Sequence, residues 1–138
     1  MPLLSRKGIL AIAAVIDVAI NSDVRPVSAK ALASRHGLPP RHLEPVLQAL
    51  VHEGILRGVR GPRGGYELGR DQAETTANEI LRAAVTVDDT FGGPPQGSPL
   101  VVTVVIPALT QAERAFAATL GAIKLDDLIK RAEKAKLA

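Results

Sequence analysis

The apolar positions of this chain fall mostly into helical spacings. Ile9, Ile12, Ala13, Ile16, Ala19 and Ile20 recur with the period of a helix, and Leu43, Val46, Leu47, Leu50 and Val51 do the same. Local punctuation bounds these segments. Ser5 can accept a hydrogen bond from a first-turn amide, with Leu4 and Ile9 at the spacing of a hydrophobic staple, so a first helix is predicted over 5–21. Ser28 caps a second, short helix with Val27 and Leu32 as its staple, and Gly37 can take the left-handed conformation that ends it. Pro40 opens a third helix, where its missing amide hydrogen is not needed, and Gly54 closes it. Pro45 is expected to distort the first turn of that helix.

Two short helices joined by a tight turn form the pattern of a helix-turn-helix. Residues 55–59 and 66–68 read as strands, and Arg60-Gly61-Pro62-Arg63-Gly64-Gly65 between them is a turn dense in Gly and Pro, so a β-hairpin follows. Thr76 and Glu79 make a capping box for a helix to about residue 84. Residues 86–99 carry Asp88, Asp89, Gly92, Gly93, Pro94, Pro95, Gly97 and Pro99, a composition that predicts a flexible loop. Residues 100–106 are rich in β-branched side chains and read equally as strand or helix. From Ala108 onward the helical spacing is clear, with Leu109, Ala112, Phe116 and Leu120 on one face, and a last helix is predicted over 124–136. The expected fold is mainly α with a small β-hairpin wing: a winged helix-turn-helix over 1–85, a loop over 86–99 and a helical segment over 100–138.

Composition narrows the chemistry. Only Tyr66, Phe91 and Phe116 are aromatic, so the core must be aliphatic. Residues 1–70 hold ten Lys or Arg against five Asp or Glu, whereas residues 71–138 hold seven against nine. A basic amino-terminal half suits a polyanionic partner such as DNA. The chain has no cysteine, which excludes a disulfide framework and thiol chemistry and fits a cytoplasmic protein. Apolar runs are too short to span a bilayer, and no cleavage pattern follows Arg6 and Lys7, so neither a membrane span nor a signal peptide is expected. No nucleophile–base pair, metal-ligand set or phosphate loop is visible, so no enzymatic activity is expected. His36, His42 and His52 have no recognised ligand spacing; His42 is expected to be a partly buried spacer.

The stretches Leu4-Ser5-Arg6-Lys7-Gly8, His42-Leu43-Glu44, Glu79-Ile80-Leu81-Arg82-Ala83 and, most specifically, Val59-Arg60-Gly61-Pro62-Arg63-Gly64-Gly65-Tyr66-Glu67-Leu68 resemble the Rrf-two family of bacterial winged-helix transcriptional regulators. The likeness covers residues 3–85 well and the rest by helix order. Cluster-binding members of that family carry three cysteines in the loop after the fourth helix; here 86–99 holds none, so neither an iron–sulfur cluster nor any other cofactor is expected. Pro45 also departs from the family pattern.

The resemblance implies a sequence-specific, dimeric regulator, with repression the expected direction, bound to a pseudo-palindromic operator in double-stranded DNA. The third helix would enter the major groove, with Pro40 at its opening, Arg41 toward guanine or phosphate, Glu44 toward a cytosine amino group and Gln48 one turn further. The hairpin would be a wing in which Gly61, Gly64 and Gly65 permit close backbone approach and Arg60 and Arg63 reach a narrow minor groove. Lys7 and Ser28 are phosphate-contact candidates, and Tyr66 packs the wing with its hydroxyl in reach of phosphate. A homodimer would form through Val104, Val105, Ala108, Leu109, Ala112, Phe116 and Leu120. The alternative is a winged helix used as a protein-interaction module. A small apolar effector between the dimer helix and the winged domain stays open, with no residue identifying one.

Overall fold

The structure, a computed structural model, describes residues 6–37, 39–85 and 99–136. Helix α1 (Arg6–Asn21) is followed by α2 (Ala29–His36), α3 (Pro40–His52), strands β1 (Leu56–Val59) and β2 (Gly65–Leu68), a single 3₁₀ turn (Gln72–Glu74) and α4 (Ala77–Val85). A π-helical turn (Val101–Val105) then runs into α5 (Ile106–Ala122), and α6 (Leu125–Lys134) comes last. Among the described residues no helix is long and apolar enough to cross a membrane. The caps at Ser5 and Leu4, and the loop 86–98, lie outside the described residues; Pro99, assigned to that loop by composition, is helical.

Helix α1 packs against α3, α4, α6 and β2. Its fully buried residues are Ala11, Ala14, Val15 and Val18. The stripe that periodicity picks out is a different one: Ile9 is 57% exposed, and Ile12, Ala13, Ile16, Ala19 and Ile20 are half-buried. The reason is that α1 is apolar around most of its circumference. Two helical stripes compete, and the one of alanine and valine, smaller than the isoleucine-rich one, faces the centre because it lets neighbouring backbones come close. Leu32, Leu43, Val46, Leu47, Leu50, Leu56 and Ile80 complete the core around it.

The local signals operate as written in the sequence. The Ser28 hydroxyl accepts from the Ala31 amide at 3.0 Å, and Gly37 ends α2 at φ 64°, a conformation costly for residues with a Cβ. Pro40 is the first residue of α3, and the first turn is tightened by a three-residue-spaced bond from the His42 amide to the Pro39 carbonyl at 3.0 Å. The helix then continues through Pro45, which lies on its exposed side. Thr76 and Glu79 cap α4 reciprocally, each amide bonded to the other's side chain at 3.2 Å. The β-branched run 101–105 is helical rather than extended, continuous with α5.

Helix α6 is anchored in the same core. The Leu125 amide donates to the Thr75 carbonyl at 2.8 Å, the Ala77 amide to the Ile123 carbonyl at 2.9 Å, and Gln72 Nε2 to Asp126 Oδ1 at 2.7 Å. Leu125 and Ile129 are buried beside α1. Helix α5 rests on α4 with Phe116 and Leu120 half-buried, while Val104, Val105, Ala108, Leu109 and Ala112 are exposed.

Candidate nucleic-acid interface

The two strands pair antiparallel with Leu56 opposite Leu68 and Val59 opposite Gly65. The hairpin does not stand free. The Val27 amide donates to the Tyr66 carbonyl at 2.9 Å, and the Tyr66 amide to the Val27 carbonyl at 2.7 Å. This bridge fastens the segment before α2 to the wing. It needs Gly65, because a Cβ there would lie 2.4 Å from the Val27 carbonyl oxygen. At the tip the Gly64 amide donates to the Gly61 carbonyl at 2.9 Å, closing the turn that carries Pro62 and Arg63.

Helix α3 separates its faces cleanly. Leu43, Val46, Leu47 and Leu50 are buried, and Arg41, Glu44 and Gln48, at three- and four-residue spacing, are exposed on one side. His42 is exposed as well, not the partly buried spacer its position suggested; with Leu43 fully buried beside it, the helix already has its core contact. Tyr66 is half-buried and packs on the core. Burial pushes its phenol up, and the negative charge of Glu44 adds to the shift, so the base of the wing and the first turns of α3 are electrostatic neighbours.

A groove of about 410 Å³ runs between the segment preceding α2, α2 itself and the wing, lined by Arg25, Ser28, Arg35, Pro62, Arg63 and Gly64 among others. Ser28 and Arg63 therefore meet across one groove. Arg60 and Lys7 are not among its walls; Arg60 is exposed at the turn and Lys7 is half-buried on α1. Among the described residues, Arg25, Lys30, Arg41, Arg60 and Arg63 form no ion pair. By contrast Arg57 pairs with Glu67 across the hairpin, and Arg70 with Glu79.

Asp17, buried within the largely apolar α1, ties α1 to α2. Its carboxylate accepts from Arg35 Nε at 2.8 Å and Nη2 at 2.6 Å and from Asn21 Nδ2 at 3.0 Å, and His36 Nε2 lies 2.9 Å away. Burial pushes this carboxyl up, but the bonds from Arg35, Asn21 and His36 together with the Arg35 charge more than offset that and hold it below its usual range. A group whose folded pKa is depressed stabilises fully above its unfolded pKa and loses that contribution as pH falls through the folded value. Asp17→Asn is expected to lower the unfolding free energy by about 1–2 kcal/mol at neutral pH, modest for a buried acceptor because Arg35 is 44% exposed. In urea titrations from about pH 7 to about pH 3, the gap between wild type and variant should shrink only below the ordinary carboxylate range; a gap that is constant with pH would refute the assignment.

A family model described as Rrf2, iron-dependent transcriptional regulator, matches residues 4–131. The chain belongs to the Rrf2 family. It is 38% identical over 80 residues to the HTH-type transcriptional regulator IscR of Escherichia coli, a match covering 58% of this chain and 49% of the relative, so the chain spans about half the length of the curated relatives it matches. Among solved structures, that of T. potens IscR superposes with TM-score 0.72 at 30% identity, over 97% of this chain and 90% of that one. CymR of B. subtilis, the global cysteine regulator, superposes with TM-score 0.71 at 24% identity over 92% and 95%, a likeness of fold. The mostly helical Rrf2 chain with its two-stranded hairpin thus has the winged-helix fold of its relatives.

The family description raises iron, and the donor set answers it. Iron–sulfur clusters are held chiefly by cysteine thiolates, and this Rrf2 chain has no cysteine. Among the described residues no three His, Cys, Asp or Glu side chains converge on a common point. The residues do not fit such a cluster.

Proposed function

We propose that this chain is a sequence-specific, DNA-binding transcriptional regulator that works as a homodimer and without an iron–sulfur cluster. One observation carries the reading. The exposed face of α3 and the unpaired arginines of the wing belong to neighbouring elements: the Val27–Tyr66 bridge fastens the wing to the segment before α2, α2 and β1 both pack against α3, and the Ile55 amide donates to the Leu50 carbonyl at 3.0 Å, so a reading helix and a basic hairpin belong to one packed unit. In this reading Arg41, Glu44 and Gln48 meet base edges in the major groove, with Pro40 placing the helix end toward the duplex. Arg60 reaches the adjacent minor groove, where negative potential concentrates. Arg63, Ser28 and Lys7 contact the backbone, and Tyr66 packs the wing with its hydroxyl in reach of phosphate.

The dimer rests on α5 and the turn before it. Leu100 is 64% exposed, Val104 56% and Leu109 63%, with Val105, Ala108 and Ala112 exposed alongside. Large apolar side chains grouped in this way call for a partner, and a second copy related by a two-fold axis presents the same surface. Bound across a promoter, such a dimer represses by occlusion. The relatives are regulators by name, which supports this reading.

The test is to pass sheared genomic DNA from the source organism over the immobilised full chain and sequence what is retained. A recurrent element with two-fold symmetry is the expected result. Retention without any shared sequence would refute specific recognition.

A further inference from the structure

We propose that Arg25 and Arg63 act as a two-armed clamp on one phosphodiester group of bound DNA at the amino end of α2, a proposal that rests on the DNA-binding reading above. Arg25 carried no signal in the sequence. It sits in the segment before α2, and only the fold brings it to the same groove as the wing-tip arginine.

Three arginines line that groove and no carboxylate does. Arg35 is already committed to Asp17 through two hydrogen bonds of 2.8 and 2.6 Å. Arg25 and Arg63 have no ion pair among the described residues and are exposed, so their charge faces an open, basic groove. Between them lies Ser28, whose hydroxyl oxygen accepts from Ala31 while its own hydrogen stays available to donate. With the Ala31 amide taken by Ser28, the amides of Ala29 and Lys30 at the start of α2 are left without helical partners. Cationic arms on two sides and donors on the floor suit a monoanion with several oxygens, which arginine engages by paired N–H bonds.

The backbone that carries the two arms is constrained. Pro26 follows Arg25 and Pro62 precedes Arg63, and each fixes a backbone torsion beside its arginine. The Val27–Tyr66 bridge sets the distance between the two segments, with Gly65 allowing their close approach. A duplex backbone is favoured over an acidic peptide because the groove adjoins the wing, whose first strand packs against the reading helix α3.

The test uses the full chain and fluorescence anisotropy with two labelled duplexes, one carrying the retained genomic element and one scrambled, across a salt series. Arg25→Gln, Arg63→Gln and the double variant are compared. Each single change should weaken both duplexes by about tenfold. The double should weaken them by clearly less than the product of the singles, because both arms hold the same group. Its log–log salt slope should fall by about one charge. Arg25→Lys should keep the wild-type slope and recover only part of the affinity lost in Arg25→Gln, since a lysine keeps the charge without the fork. Multiplicative losses with a slope change of about two would mean separate phosphates and would overturn the clamp, as would an Arg25→Gln protein that binds like wild type. Failure of the wild-type chain to bind either duplex would overturn the DNA-binding reading itself and the clamp with it.

Discussion

Gly65→Ala should destabilise the chain by about 2–3 kcal/mol and lower DNA affinity by more than tenfold. The added Cβ would sit 2.4 Å from the Val27 oxygen, 2.5 Å from the Val27 carbon and 2.8 Å from the Ser28 nitrogen. All three are backbone atoms, so no side chain can swing aside. Relief requires the two segments to part, which breaks both Val27–Tyr66 hydrogen bonds and releases the wing from the helix-turn-helix. Gly58→Ala is the matched control: it lies opposite Tyr66 in the same hairpin, yet a Cβ there meets nothing within 4 Å. That variant should stay within about 0.5 kcal/mol of wild type. Chemical denaturation and anisotropy on the same samples decide the matter, and equal behaviour of the two alanine variants would contradict the role given to the bridge.

Leu109→Asp should convert a dimer to a monomer and cut DNA affinity by about a hundredfold. Leu109 is 63% exposed in the single chain, so the substitution removes little packing within it, and thermal stability extrapolated to low concentration should hardly change. Against a second copy the same carboxylate would be desolvated without a partner, and the two-fold would double the cost. Loss of DNA affinity follows because the second half-site is then no longer held at high effective concentration. Sedimentation equilibrium reads the first effect and anisotropy the second. A Leu109→Asp protein that remains dimeric would move the interface away from α5.

Much of this architecture is written locally. The Ser28 cap, the Gly37 terminator and the Thr76–Glu79 box are interactions within four residues, so residue type and spacing suffice to find them. The exposed face of α3 is equally legible, because Leu43, Val46, Leu47 and Leu50 leave Arg41, Glu44 and Gln48 only one side. What escapes the sequence depends on contacts between distant segments. The choice between two apolar stripes on α1 is settled by neighbours that periodicity cannot weigh. The run 101–105 reads as either strand or helix by side-chain shape and is helical, continuous with the helix that follows it. Asp17 finds Arg35 eighteen residues away, and Gln72 finds Asp126 fifty-four residues away. One clue to the first was present: an aspartate in an apolar helix needs partners, and Arg35 and His36 close the next helix. Arg25 offers no such clue, since its place beside the wing arises only from the Val27–Tyr66 bridge.

In the proposed complex, α3 and the wing of two copies grip one duplex together. Hydroxyl-radical footprinting of the wild-type chain on its retained genomic element tests it most directly. Two symmetric sets of protected sugars, with half-site centres about one helical turn or a whole number of turns apart, are the expected result. A single unpaired patch, or uniform protection that follows the protein along any sequence, would contradict it.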